Sequence, residues 1–263
     1  MVFSRICQIS VLFTCIFLAA CSSDRQAGHF VPARSSVSTD TVGDTTPLNA
    51  REKEQLMIKA ENYPGLIELY KKKIEQRDSS SVRLKLAQTY YRSGDTDSAM
   101  FQIQYMKQHE KPNAEVFYLE AQCLHEKNKD TEALKAISSA IMLHSDQAKY
   151  YNLQGIVSAS LDDFISARRA FNKARSLMYT DTVVLNNLAM IDIYQQRYQD
   201  AIDKLMPLYR NGQADSKIRA NLLVALAKSH QYFLFKEVYA EGEPGKAKAV
   251  YQQLAMMTHK DTE

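Results

Sequence analysis

Alanine stands at Ala99, Ala133, Ala167 and Ala201, one every 34 residues, and no feature of the chain constrains its fold more. Two further ladders run in the same phase. Ala87, Ala121, Gly155 and Ala189 lie twelve residues earlier, and Ile103, Ile137, Phe171 and Leu205 four residues later. One ladder could arise by chance, but three in register mark a repeated structural unit. Inside each period the apolar residues recur at helical spacing on both sides of a polar turn. Two helices packed about 8–10 Å apart need a small residue where they face each other. Ala and Gly supply it, and the larger Ile, Phe and Leu fill the space toward the next unit. A single helix pair cannot bury its own apolar face, so neighbours must stack, about three at the least. The pattern predicts an all-α fold, an α-solenoid.

A 34-residue helix-turn-helix period is that of the tetratricopeptide (TPR) repeat. Four in-phase repeats span about 80–113, 114–147, 148–181 and 182–215, with turns such as Ser93-Gly94-Asp95 between the helices. Carried backwards, the phase puts Gly65 at the alanine position of a degenerate unit at 50–79, with Asn62-Tyr63-Pro64-Gly65 as its turn and Leu66, Leu69, Tyr70 and Ile74 as its apolar stripe. Carried forwards, it puts Phe235 at that position in a second degenerate unit, 216–263. There Gly242-Glu243-Pro244-Gly245 breaks the chain before a helix from Lys246 to about Met257, which is expected to cap the open end of the core.

The start of the chain carries a second strong signal. Met1–Arg5 is short and basic, Ile6–Ala20 is apolar, and Leu18-Ala19-Ala20-Cys21 closes it. An apolar run too short for a bilayer span, with small residues before a cut, is a secretory signal peptide. A cysteine directly after those residues makes the pattern a lipobox. Residues 1–20 are therefore expected to be removed and Cys21 to be acylated; a single chain holds a protein marginally, two or more hold it stably. Ser22, rather than Asp, follows, which by the sorting preference of Gram-negative lipoproteins directs the protein to the periplasmic face of the outer membrane. Residues 21–49 are rich in Ser, Thr, Asp, Pro and Gly and are expected to form a disordered tether with a reach of about 30 Å. The TPR domain is expected over 50–263.

Cysteine usage fits this layout: Cys7 and Cys15 leave with the leader and Cys21 carries lipid, so Cys123 is the sole thiol and no internal disulfide forms. Cys123 falls on a first helix and reads as a small buried hydrophobe. With 33 basic against 30 acidic residues the charge is nearly balanced, so nucleic acid is not implied as a partner. Lys71-Lys72-Lys73 and Arg168-Arg169 read as solvated helix faces. The six histidines are scattered, Cys123 and His125 point in different directions, and no phosphate loop or serine elbow occurs. Asp162-Asp163 lies in a turn, where it is expected to cap the next helix. No catalytic residue, metal site, cofactor or small-molecule substrate is expected; the chain reads as a binding module.

Its binding surface is expected on the concave face, built by the first helix of each repeat. That face includes Leu84, Gln88, Tyr91 and Arg92; Tyr118, Gln122 and His125; Asn152 and Ile156; Asn186, Met190, Ile193 and Tyr194; and Ala220, Val224 and Lys228. Asn187 and Asn221 occupy the neighbouring position, where TPR domains often hold a peptide backbone with an amide. This aromatic, amide and apolar lining suits an extended peptide or a helix. Lys149, Lys217 and Lys228 do not complete the paired-lysine clamp for a terminal carboxylate.

The stretch from Val183 to Ala227 carries Asn186-Asn187-Leu188-Ala189-Met190, a helix from Ala201 ending in Met206-Pro207-Leu208, and Arg219-Ala220-Asn221-Leu222 through Leu226-Ala227. With the lipobox and tether, it resembles the TadD family of TPR lipoproteins from tight-adherence (Flp pilus) systems. After Ala227 that family continues with a glycine turn and an alanine, whereas this chain has Lys228 to Phe235. The resemblance implies a scaffold that binds a secretin or another pilus-assembly component and so serves adherence and biofilm formation. Two alternatives stay open: a pilotin-like lipoprotein for the secretin of a type IV pilus, and a scaffold for cell-wall hydrolases or outer-membrane protein assembly.

Overall fold

Thirteen α-helices and one 3-10 turn, with no strand, make up the described part of the computed structural model, residues 49–239 and 244–257. The expected leader, Cys21 and the expected tether up to residue 48 lie outside the described residues. In chain order the helices are α1 Ala50–Lys59, α2 Tyr63–Gln76, α3 Ser80–Arg92, α4 Thr96–His109, α5 Ala114–Glu126, α6 Asp130–Leu143, α7 Ala148–Ser160, α8 Phe164–Ser176, α9 Asp181–Tyr194, α10 Tyr198–Arg210, α11 Ser216–Lys228, α12 Tyr232–Tyr239 and α13 Ala247–Met256. The four in-phase repeats are the pairs α3/α4, α5/α6, α7/α8 and α9/α10. The fold is a TPR-type solenoid.

Each pair is tied by a turn built on one conformation. Gly94, Asn128, Asp162, Gln196 and His230, spaced by 34 residues, all have positive φ, between 57° and 85°. The following N–H then reaches back to the carbonyl five residues before it, as in Asp95 to Tyr90 at 2.9 Å and Arg197 to Asp192 at 2.8 Å, and closes the first helix. Only the first of these turns spends a glycine on the left-handed region. The second helix starts at a side-chain cap in several repeats: Asp95 accepts from the Ser98 N–H and Asp163 from the Ser166 N–H, each at 3.0 Å. Asp163 thus caps as its sequence position predicts, while Asp162 supplies the turn.

The alanine ladder is wholly buried, as are Ile103, Ile137, Phe171 and Leu205. Each core cluster joins one repeat to the first helix of the next; Ala87, Ala99, Ile103 and Met106, for instance, pack with Val116, Leu119 and Cys123. Cys123 is a free, fully buried thiol, and burial pushes its pKa up to about 12. In the third repeat the partners change together. A Cβ added to Gly155 would lie 2.6 Å from the Phe171 ring, so the bulky ring and the missing side chain are one adaptation.

The degenerate units depart from the phase in two ways. The loop Arg77–Ser79 is one residue shorter than its counterpart Glu110–Asn113, so the N-terminal unit lags by one position. Leu66, not Gly65, therefore takes the alanine site; Leu66 and Tyr70 are buried, and Asn62 caps α2 by accepting from the Gly65 N–H at 3.1 Å. At the other end Phe235 does occupy the alanine site, fully buried. Its bulk keeps the short α12 from packing closely on α11, and Tyr251 of α13 meets the Phe235 ring edge-on at 5.2 Å.

A buried carboxylate fastens the third repeat to the fourth. Asp192, 1% exposed, faces Arg168 at 2.6 Å, Arg197 at 3.0 Å and Lys204 at 2.9 Å. These cations come from α8, from the turn after α9 and from α10. Their convergence offsets only part of the desolvation, and burial still pushes the Asp192 carboxyl above its ordinary value.

Candidate functional site

The first helices α3, α5, α7, α9 and α11 pack side by side along the stack, while the second helices make no comparable contact with one another. The solenoid therefore bends with its first helices inside, and their exposed sides line the concave face.

All nine residues predicted for the groove lie on these helices. Tyr91 is on α3, Tyr118 and Gln122 on α5, Asn152 on α7, Asn186, Asn187, Met190 and Tyr194 on α9, and Asn221 on α11. Eight are half-buried, and Asn152 is 7% exposed. The asparagines are drawn together in an unexpected way, each pairing with another about one period away. Asn187 Nδ2 donates to Asn152 Oδ1 at 3.1 Å, and Asn221 Nδ2 donates to Asn186 Oδ1 at 2.8 Å. Tyr91 lies near the Glu126 carboxylate, which adds to burial in raising its phenol. On the same face Glu115 accepts from the Tyr150 hydroxyl at 2.7 Å and pairs with Lys149 at 2.7 Å. The Lys149 ammonium also sits 4.9 Å from the centre of the Tyr118 ring. Burial raises the Tyr118 phenol to about 12 and pushes Tyr91 higher still, so both remain neutral donors at neutral pH.

Sequence reasoning put these residues on the first helices but missed this ladder. The signal was present in the spacing, since Asn152 and Asn187, Asn186 and Asn221, and Glu115 and Tyr150 are all separated by 35 residues. Two predicted lining residues are committed elsewhere. His125 Nδ1 lies 2.6 Å from the buried Asp130, within its own repeat. Lys228 Nζ donates to the carbonyl oxygens of Ala255 and Met257 and so closes the C-terminal end of the groove with α13. Lys149, another clamp candidate, is held by Glu115.

Along its axis the groove changes character. Toward the N-terminus it presents Tyr91, Tyr118, Gln122 and paired charges; toward the C-terminus it presents Ile156, Met190, Ile193, Tyr194 and Val224, with Phe164 against Tyr194 at 5.0 Å. An asparagine has two amide donors and an oxygen with two lone pairs, so one inter-repeat bond leaves it able to hold a backbone as well. The arrangement can take a peptide by its main chain over the amides and by apolar side chains beyond them. Among the described residues no group of three or more His, Cys, Asp or Glu could hold a metal ion, and no helix is long and apolar enough to cross a membrane.

Comparison with known proteins places the fold. The sequence profile of the family "Anaphase-promoting complex, cyclosome, subunit 3" matches residues 59–140. No curated protein sequence matches the chain. Among solved structures, the APC/C hetero-tetramer Cut9–Hcn1 is similar with a TM-score of 0.62 at 14% identity, over 79% of this chain and 43% of that one. PilF of Pseudomonas aeruginosa gives 0.59 at 15% identity, over 80% and 91%. The C-terminal part of a TPR repeat-containing protein from Cytophaga hutchinsonii gives 0.57 at 19% identity, over 80% and 90%. These likenesses establish the solenoid architecture.

Proposed function

We propose that the protein is a lipid-anchored scaffold at the periplasmic face of the outer membrane, which captures a segment of a Flp-type pilus assembly component, a secretin foremost, in its concave groove. The observation that carries the binding half is the groove itself, a continuous strip of half-buried amide, aromatic and apolar residues on five successive first helices. The lipobox at Cys21 and the likeness of Val183–Ala227 to TadD proteins supply the rest. In this mechanism the lipid confines the groove to within the tether's reach, about 30 Å, of the membrane, and so raises the local concentration of a membrane-embedded partner.

Cross-linking in intact cells, followed by purification of the tagged protein and mass spectrometry, tests this reading. A secretin or other Flp pilus component should be recovered from the outer-membrane fraction, and Met190→Glu, which puts a charge into the apolar half of the groove, should abolish recovery without loss of helical content. Cell-wall hydrolases or the outer-membrane insertion machinery in place of pilus proteins would refute the pilus assignment. Cys21→Ser should release a folded protein from membranes; unchanged membrane partitioning would refute the anchor.

A further inference from the structure

The 34-residue phase that starts α11 at Ser216 would start the first helix of a following unit at residue 250, and α13 occupies that slot, beginning at Ala247. It fills the slot loosely. The first helices α3, α5, α7, α9 and α11 bury from three to eight residues each, and α13 buries two, Ala247 and Leu254. Of the two helices that precede it, a regular first helix leans more on the second helix of the repeat before than on the first, whereas α13 leans more on α11 than on α12. The cause is Phe235: at the site where alanine lets helices interlock, it presents a ring, and α13 answers with Tyr251, edge-on to Phe235 and to Tyr232, the latter at 4.9 Å. At the far end of α13, Lys228 Nζ grips the carbonyl oxygens of Ala255, at 3.2 Å, and Met257. Unsatisfied carbonyls end every helix and attract a cation whatever the sequence. The remaining contacts ask for a small residue, an aromatic and a leucine at i, i+4 and i+7.

We propose that the α11–α12 face beneath α13 is a helix-docking site, held shut by α13 and occupied, when α13 leaves, by an amphipathic helix of a partner protein that bears the same small–aromatic–leucine stripe. The site lies beyond the end of the concave groove and does not depend on the function proposed above. Its recognition elements are the Lys228 ammonium for the helix end, the Phe235 and Tyr232 rings for the aromatic, and the cluster of Leu222, Leu226 and Val238 that receives Leu254. Because α13 contributes so little buried surface, it belongs to the low-stability end of the molecule, where local opening precedes global unfolding.

Two measurements on the full-length protein in detergent test this. In hydrogen exchange followed by mass spectrometry, the amides of 247–256 should exchange about a hundredfold or more faster than those of 216–228, and equal protection would overturn the proposal. A fluorescent synthetic peptide of residues 244–257 is the binding probe. It should bind a Leu254→Asp variant, whose own α13 has lost its anchor, at least about tenfold more tightly than it binds the wild type. Adding Lys228→Met should weaken that binding about fivefold, and a peptide carrying Leu254→Asp should not bind. Equal affinity for wild type and Leu254→Asp would refute a closed site. If Leu254→Asp loses its helical circular dichroism, the exchange experiment on the wild type decides the question alone.

Discussion

Gly155→Ala exposes the logic of the core more sharply than any other single change. In a helix interior the substitution should stabilise by about 1 kcal/mol, because glycine has the greater conformational freedom to lose. Here the new Cβ would sit 2.6 Å from Cδ1 and Cε1 of Phe171 and 2.9 Å from Cζ. Ordinary carbon contacts need about 3.5 Å, so ring or backbone must move by nearly 1 Å, and Phe171 is fully buried with nowhere to go. Overpacking costs about 1–3 kcal/mol, and an immobile ring puts this site at about 2–3 kcal/mol, which outweighs the propensity gain and leaves a net loss of about 1–2 kcal/mol. Phe171→Leu alone should cost about 1–2 kcal/mol through the space it leaves. The double variant recreates the Ala189 and Leu205 pair of the next repeat and should return to within about 1 kcal/mol of wild type, a coupling of about 2 kcal/mol. Urea unfolding followed by circular dichroism, compared at constant m, reads all four corners of the cycle. A Gly155→Ala protein as stable as wild type, or additive losses in the double variant, would refute the reasoning.

Glu54 is buried at the N-terminal end, and although burial pushes its carboxyl up, hydrogen bonds from Lys73, Lys85 and Tyr70 prevail and hold it at about 2. A depressed carboxylate stabilises the fold above its unfolded value of 4.5 and loses that contribution as pH falls toward 2, so the advantage of wild type over Glu54→Gln should be about 2–3 kcal/mol at pH 7 and shrink steadily below pH 4.5. Denaturation of both proteins at pH 7 and pH 2.5 checks it; a constant difference contradicts it. At the left-handed turn positions Gly94→Gln should destabilise by about 1 kcal/mol and Gln196→Gly should stabilise by up to about 1 kcal/mol, read as opposite shifts in urea midpoint. Cys123, buried and with its thiol raised to about 12, should react with a disulfide reagent at least about a hundredfold more slowly in the native protein than in 6 M guanidinium, measured on a form lacking residues 1–21. Comparable rates would show that the α5 region opens readily.

How far the fold was legible follows from where its physics is periodic. The alanine ladder encodes helix separation, and every repeat must meet that demand with the same residue type, so Ala99, Ala133, Ala167 and Ala201 disclosed the solenoid before any coordinates. Periodicity has no power where a unit changes length or chemistry. The one-residue shortening at Arg77–Ser79 moved the alanine site from Gly65 to Leu66, and composition gives no hint of it. Phe235 was placed correctly by the phase, yet its consequence, a displaced α12 and a tyrosine-edged seat for α13, depends on packing in three dimensions. The left-handed turns were hidden for another reason. Only Gly94 and Gly212 advertise the conformation, while Asn128, Asp162, Gln196 and His230 adopt it because the tertiary contacts of both helices outweigh a local cost of about 1 kcal/mol.

The concave face teaches the converse lesson, that side chains assigned to recognition in the proposed function already serve the structure. Asn186, Asn187 and Asn221, half-buried on the concave face, and the buried Asn152 carry amides that bond repeat to repeat. Equivalent positions 34 residues apart present the same register of the first helix, so a bond from one residue to the neighbour of its equivalent, 35 residues on, runs slantwise across the interface. Such slanted bonds resist rotation of one repeat about the next. Nearly the same offset recurs in Glu115 with Tyr150 and with Lys149, so polar pairs brace the concave side across several junctions, where the first helices lie closest. Other junction contacts come from Lys107 with Glu120, Lys127 with Asp97 and the Asp192 cluster. A peptide laid along the amides therefore meets a lining already fixed in place, and the ordering cost of holding those side chains is met by the fold rather than by the partner.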